Sequence, residues 1–320
     1  MQAGENVLTA CHLGMSYGER QALRGLSFTL GAGRILGFLG PNGAGKTTAI
    51  RILTTIIEPT TGSFTVAGID SSDPHGIRQR IGVLPESLGF PKRNTALEYL
   101  TYFGEHYGRS RPASRDRARG LLAEVGLAGR QNSLIGSYSR GMRQRLGIAR
   151  TLLGDPQVVF LDEPTLGLDP RGQQELLQII QRIAAERGAG VVFCSHQLSE
   201  VESVCDDVII LNEGRVVADG PVDQVTARTG APRFLVLVDP PSVDKAVQAL
   251  QSDRITVSTN RQMNGQIEVE LGTEDPEQAS AIRREILQSL VDARIDVLGF
   301  TNRVSRLEEV FLSLTQGVAS

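Results

Sequence analysis

Lysine is nearly absent from this 320-residue chain: of 33 basic residues only Lys46, Lys92 and Lys245 are lysines, and the rest are arginines. A motif that demands lysine at one fixed place is therefore unusually informative here. Basic charge is not in excess either. The 33 Lys+Arg stand against 36 Asp+Glu, a formal charge of -3, without the basic surplus by which a nucleic-acid binder is read, so no nucleic-acid partner is expected. Cys11, Cys194 and Cys205 are odd in number and form no CxxC pair, which argues against a disulfide framework and a zinc site and fits a reducing cytosol. The longest uninterrupted apolar run, Phe234 to Val238, falls far short of the roughly 20 residues of a membrane-spanning helix. Leu8-Thr9-Ala10-Cys11 matches a bacterial lipoprotein cleavage site. It lacks a basic start and an apolar core of about 7–15 residues, so the match reads as coincidence.

What is present is alternation. From Asn6 to about Thr229, short apolar runs (Ile35 to Leu39, Val158 to Leu161, Val191 to Cys194, Val208 to Leu211) are separated by longer stretches of helical spacing, which implies a mostly parallel sheet covered on both faces. Residues of about 95–150 show no such strand run and predict an inserted helical subdomain. Its Arg109, Arg111, Arg115, Arg117 and Arg119 read as a solvated face. Asn212-Glu213-Gly214 predicts a hairpin near the end of a first domain of residues 1–229. Thr229-Gly230-Ala231-Pro232 is a turn-rich boundary. Beyond it the pattern predicts strand 233–238, helix 242–251, strands 254–259 and 266–271, helix 275–291 and strand 295–300. That βαββαβ order is ferredoxin-like, with Asn264-Gly265 as its tight hairpin turn. A last helix, Ser305 to Leu314, places Leu307, Val310, Phe311 and Leu314 on one face.

Three features carry chemistry. Gly40-Pro41-Asn42-Gly43-Ala44-Gly45-Lys46-Thr47 follows an apolar strand and precedes a helical run, the setting of a P-loop. There glycines let backbone N–H groups wrap an anion, the helix N-terminus adds partial positive charge, Lys46 neutralises phosphate oxygens and the Thr47 hydroxyl ligates Mg2+. Val158 to Leu161 runs into Asp162 and Glu163. Apolar runs ending in two acids are ordinary alone, but beside a P-loop they place one carboxylate behind Mg2+ and the next beside the γ-phosphate, where it orients or deprotonates the attacking water. His196 follows the strand Val191 to Cys194, so a parallel sheet puts it at the same carboxyl edge, positioned to donate a hydrogen bond to the γ-phosphate or to Glu163.

With these motifs, the chain resembles the ABC ATPases over residues 6–229. Tyr138-Ser139-Arg140-Gly141-Met142-Arg143-Gln144-Arg145 resembles the family signature, although alone it would pass for a helix cap. Gly167-Leu168-Asp169 resembles the dimer-contacting loop. Tyr17 sits where the family stacks an aromatic ring on adenine, in place of an ordinary packing role. The resemblance implies a P-loop α/β fold with an antiparallel β part and a helical subdomain. It implies ATP bound by Tyr17 and by Gly40, Pro41, Asn42, Gly43, Ala44, Gly45, Lys46, Thr47 and Thr48, and Mg2+ held by Thr47, Glu86 and Asp162. Glu163 and His196 are the implied catalytic pair. Ser139, Arg140, Gly141, Met142 and Asp169 would act in trans on a second subunit.

Two departures refine this. Glu86 stands where many members carry glutamine, and Arg140 and Met142 depart from the commonest signature. Both resemble the exporter ATPases that work with separate ABC-2 type permeases, as do Ser305 to Phe311 and the accessory domain of residues 230–320. The implied function is an ATP-hydrolysing motor on the cytoplasmic side of the membrane, a homodimer attached only through its permease. The accessory segment carries nine basic and thirteen acidic residues, which argues against direct binding to anionic lipid. A soluble ABC ATPase acting on DNA or ribosomes, and an importer ATPase, remain as alternatives. The transported molecule cannot be read from an ATPase chain, because the permease forms the pathway.

Overall fold

A computed structural model describes residues 5–226, 233–252, 254–259, 265–273, 276–302 and 306–316. The chain divides into two compact units, one built from residues up to Val222 and one from Asp223–Ser313. In chain order the first carries β1 (Asn6–Tyr17), β2 (Arg20–Gly31), β3 (Ile35–Leu39), α1 (Lys46–Leu53), β4 (Thr61–Val66), β5 (Ile69–Asp70), α2 (Pro74–Arg78), β6 (Ile81–Leu84), α3 (Ala96–His106), α4 (Arg111–Glu124), α5 (Arg140–Thr151), β7 (Val158–Asp162), α6 (Pro170–Arg187), β8 (Gly190–Cys194), α7 (Leu198–Val204), β9 (Asp207–Asn212) and β10 (Arg215–Pro221).

Two sheets organise this unit. The larger runs β10-β9-β3-β8-β7-β6, parallel from β9 through β6 with β10 antiparallel at one edge. β3 and β8 are buried at every residue, as strands covered on both faces must be. The absence of a side chain at Gly37 lets α7 lie flush on this sheet, since a Cβ there would come within 2.4 Å of Val201 Cγ1. A second, antiparallel sheet runs β2-β1-β4-β5 and packs Phe28 edge-on to Phe38, their centroids 5.4 Å apart. The lipoprotein-like Leu8 to Cys11 lies within β1, with Leu8 fully buried.

Between β6 and β7 the chain is helical. A capping box joins Thr95 and Glu98 at the start of α3, and Ser139 caps α5 by accepting from the Met142 N–H at 3.2 Å. The arginine face is only partly solvated. Arg111, Arg115 and Arg119 are exposed, but Arg109 pairs with Asp155 at 2.7 Å and donates to the Leu153 carbonyl at 2.6 Å. Arg117 also pairs with Asp155 and donates to the Leu152 carbonyl at 3.1 Å. The carbonyls beyond α5 and one aspartate draw two of the five cations inward.

The second unit comprises β11 (Arg233–Val238), α9 (Val243–Ala249), β12 (Ile255–Thr259), β13 (Gln266–Leu271), α10 (Pro276–Asp292) and β14 (Val297–Asn302), with α8 (Val222–Thr226) before them and α11 (Arg306–Gln316) after. Its sheet order is β12-β13-β11-β14 with every neighbour antiparallel, the ferredoxin-like arrangement expected of the βαββαβ order. β13 alternates half-buried and buried residues, and Val236, Val269, Ile286 and Leu290 belong to its core. In α11, Leu307 and Val310 are buried. The predicted boundary Thr229 to Pro232, Asn264 of the predicted turn and Ser305 lie outside the described residues.

The hairpin after β9 is tight. Glu213 and Gly214 both adopt positive φ, 48° and 77°, the pair that a two-residue type I′ turn requires. The turn also supports the loop after β3, because Gly214 N–H donates to the Ala44 carbonyl at 3.0 Å and its carbonyl accepts from Arg24 N–H at 2.8 Å. A Cβ at Gly214 would stand 2.8 Å from the Ala22 carbonyl oxygen. Gly214→Ala is therefore expected to cost about 1–3 kcal/mol, seen as a Tm lower by roughly 2–12 °C in calorimetry. An unchanged transition would contradict this.

Candidate functional site

The parallel order of β3, β8, β7 and β6 brings the segments that follow those strands to one edge of the sheet, the carboxyl edge where ligands collect. A cavity of about 670 Å3 opens there, lined by Tyr17, Asn42, Gly43, Ala44, Gly45, Lys46, Thr47, Thr48, Glu86, Asp162, Glu163 and His196, joined by Arg20, Ala22 and Leu166. Ser139, Arg140, Gly141, Met142 and Asp169 do not reach it. They line a separate cavity of about 530 Å3 together with Gly167, Leu168 and Arg145.

The loop from Gly40 to Gly45 is shaped by backbone that side chains would forbid. Gly40 has φ 152°, and a Cβ there would stand 2.4 Å from the Leu211 carbonyl oxygen; Gly45 has φ 109° and would meet the Ala22 carbonyl oxygen at 2.7 Å. Gly45 in turn is the left-handed residue before α1. The helix begins at Lys46, so its first N–H groups lack intrahelical acceptors and the positive end of its dipole lies at the cavity, an anion site. Lys46 Nζ donates to the Gly40 carbonyl and, at 3.1 Å, to the Pro41 carbonyl. Gly40 and Pro41 thus do not line the cavity and are joined to it through the lysine.

Asp162 ends β7, paired in register with Cys194 of β8. Burial pushes its carboxyl above the usual carboxylate range, and the neighbouring Glu163 and Glu86 push it further, against Lys46 and Arg51. Glu163 has left-handed backbone, φ 49°, a strained conformation for a residue with a side chain. Its N–H donates to the Cys194 carbonyl at 2.9 Å, which ties the loop after β7 to β8. His196 Nδ1 donates to Glu163 Oε2 at 2.7 Å. The imidazole is 57% exposed and the carboxylate only 16%, so the ring covers the acid from the solvent side. Burial raises the thiols of Cys194 and Cys205 well above their ordinary value, which leaves them unreactive.

The oxygen donors fit a magnesium-dependent nucleotide. Thr47, Asp162 and Glu86 share the cavity with the phosphate-type loop, and the strained charge on Asp162 is what a cation relieves. Among the described residues no group of three or more His, Cys, Asp or Glu could hold a metal ion by itself. Mg2+ takes one or two carboxylates and completes its shell with waters and substrate phosphates, a demand that Asp162, Glu86 and the Thr47 hydroxyl suit by their chemistry.

Arg20 and Leu166 carry no motif, yet both line the cavity. Arg20 is paired with Tyr17 across the turn between β1 and β2, so whatever brings Tyr17 to the cavity brings Arg20 too. The Leu166 N–H donates to the Glu163 carbonyl at 3.2 Å.

A strand, glycine loop and helix opposite an Asp-Glu strand end define a P-loop nucleoside triphosphatase. The ABC transporter family profile matches residues 23–166. The daunorubicin resistance ATP-binding protein DrrA3 of Streptomyces coeruleorubidus is 34% identical over 301 residues, which cover 93% of this chain and 92% of the relative. Among solved structures, an ATP binding subunit of an ABC transporter superposes with a TM-score of 0.62 at 31% identity, covering 68% of this chain and 91% of that one. The post-hydrolysis dimer of the ATP-binding cassette MJ0796 with ADP and Pi superposes with a TM-score of 0.61 at 25% identity, over 67% of this chain and 98% of that one. The chain belongs to the ABC transporter ATP-binding family and is an ATP-binding ATPase.

The charge crowding has a measurable sign. The folded state holds the Asp162 proton more tightly than the unfolded chain does, so stability falls as pH rises from the ordinary carboxylate range, about 3.9 for Asp, through the raised value. Without nucleotide, Asp162→Asn is expected to melt above the wild type at pH 7.5, with the gap closing at pH 4 and below. A variant that melts lower at pH 7.5 would show that the carboxylate is stabilising.

Proposed function

We propose that this chain is the motor subunit of an ABC-2 type exporter, in which two copies enclose two ATP molecules and drive a permease formed by a separate chain. The observation that carries this reading is the separation of the two cavities: Ser139, Arg140, Gly141, Met142 and Asp169 line one, and the P-loop and Asp162-Glu163 line the other. A second copy supplies the missing half. The dimeric cassette among the solved structures supports the assembly. The drug-resistance name of DrrA3, with Glu86, Arg140 and Met142, supports the exporter class. No described helix is long and apolar enough to cross a membrane, in keeping with attachment to the cytoplasmic face through the permease alone. Residues 1–229 are the ATPase domain on this reading, and residues 230–320 an accessory domain that stabilises or regulates the dimer.

At the nucleotide, Tyr17 stacks on adenine, the loop Gly40 to Thr48 wraps the phosphates, and Lys46 neutralises the β- and γ-oxygens. Thr47, Asp162 and Glu86 hold Mg2+, which supplies charge neutralisation to the phosphates when bound. Glu163 accepts a proton from the water whose oxygen attacks the γ-phosphorus as the bond to ADP breaks. His196 holds the Glu163 carboxylate through its Nδ1–H. Ser139 and the Gly141 backbone contact the γ-phosphate held by the opposite subunit, and Asp169 meets that subunit.

Lys46→Ala removes charge-assisted contacts worth roughly 1.5–3 kcal/mol each and is expected to weaken ATP binding about tenfold or more; unchanged affinity by calorimetric titration would refute its role. Glu163→Gln removes a general base worth about 10²–10⁴ in rate and is expected to convert from monomer to dimer on adding ATP and Mg2+ in size-exclusion chromatography with light scattering. Adding Ser139→Arg should abolish that conversion while each monomer still binds ATP. A monomer-level binding defect, or no dimer from Glu163→Gln alone, would contradict the sandwich.

A further inference from the structure

A buried carboxylate that the proposed chemistry does not use sits directly behind the Glu163–His196 pair. Glu200 lies on α7 and is only 5% exposed. Its Oε2 accepts two hydroxyl hydrogen bonds, from Thr165 Oγ1 at 2.7 Å and from Ser195 Oγ at 2.8 Å, while its Oε1 is buried with no partner among the described residues. Both hydroxyls are fully enclosed, at 0% and 1% exposure. Thr165 stands two residues beyond Glu163, and Ser195 stands immediately before His196. Ser195 Oγ also accepts from the Gln197 N–H at 3.0 Å, which fixes the chain on the far side of the histidine. One oxygen atom therefore clamps the two loops that carry the two ends of a single hydrogen bond.

A buried acid with one oxygen unpaired is costly to keep, and an apolar side chain would cost less if the site served packing alone. From the clamp geometry we infer that Glu200 is a positioning residue for ATP hydrolysis: it acts through Thr165 and Ser195 to set the distance between Glu163 and His196. This rests on the assignment of Glu163 as general base. What the clamp requires is an acceptor at the Oε2 position. Glutamine can supply it, with its NH2 group in the place of the unpaired Oε1, whereas leucine fills a similar volume and leaves both hydroxyls without an acceptor.

The test is steady-state ATPase activity of the purified full chain, with the ring 15N signals of His196 as a readout independent of turnover. Glu200→Leu is expected to lower kcat about tenfold or more, because small misplacements of catalytic groups carry large rate effects, at unchanged KM for ATP. Ser195→Ala and Thr165→Val each remove one hydrogen bond and should give a smaller fall of the same kind; they decide the matter if Glu200→Leu does not fold. Glu200→Gln should stay within about threefold of wild type. The His196 ring signals should shift in Glu200→Leu, as they should when Glu163→Gln changes their partner, and not in Glu200→Gln. Wild-type kcat in folded Glu200→Leu or Ser195→Ala, while Glu163→Gln is inactive, overturns the clamp and leaves the base assignment standing. Normal turnover by Glu163→Gln overturns the base assignment, and unshifted His196 signals in Glu200→Leu then overturn the clamp as well.

Discussion

Three carboxylates, those of Asp162, Glu163 and Glu86, face one cavity, and holding them there against their mutual repulsion is the constraint the first unit serves. Like charges in a partly buried site raise one another's proton affinity, and a soft scaffold would relax by turning them outward. The sheet prevents that. Asp162 is the last residue of a strand buried along the rest of its length, hydrogen-bonded in register to β8, and the Glu163 N–H is held by the Cys194 carbonyl. Lys46 and Arg51 supply the opposing charge. The glycine loop that presents Lys46 is itself buttressed by the turn at Gly214. Only positive charge relieves crowding of this kind, which links the fold's least comfortable feature to the Lys46 and Arg51 cations set against it.

Much of the parallel sheet could be read from the chain because fully buried strands leave apolar runs. Ile35 to Leu39, Val158 to Leu161, Val191 to Cys194 and Val208 to Leu211 all fall inside strands, whose ends extend them by a residue or so. β1 and β2 left no such mark. Register shifts between Ala10 and Leu13, Leu13 and Gly14, and Met15 and Ser16 break the two-residue alternation that marks a half-buried strand. The company kept by Lys46, Thr47, Asp162, Glu163 and His196 in one cavity was legible from strand order alone. Arg20 was not, because an arginine at a turn has no significance until its cross-strand pairing with Tyr17 is known. Arg109 and Arg117 deceive for a similar reason: their partner Asp155 lies beyond another helix in the chain. Glu200 looks like any surface glutamate of a short helix, and its partners Thr165 and Ser195 lie on two separate loops that only the fold brings together.

The second unit shows the opposite balance. Its strand and helix order specified the topology, and the observed sheet order follows from it. Its core is built from aliphatic side chains such as Val236, Ile267, Val269 and Leu290, and Phe234 stacks with Phe300, 5.2 Å apart. Among its described residues nothing gathers titratable groups in a cavity as the first unit does. A sequence reading therefore finds its architecture readily and its role hardly at all.

The left-handed backbone at Glu163 also bears on how this position can change over evolution. Asparagine, aspartate and glycine enter that region of conformational space more readily than other residues, and β-branched side chains enter it least. Substitution by asparagine or glycine would relieve backbone strain while removing the acid. Loss of the carboxylate thus lies downhill in folding free energy, so a duplicated copy of this gene freed from selection for turnover could drift to a stable, non-hydrolysing cassette without passing through an unstable intermediate.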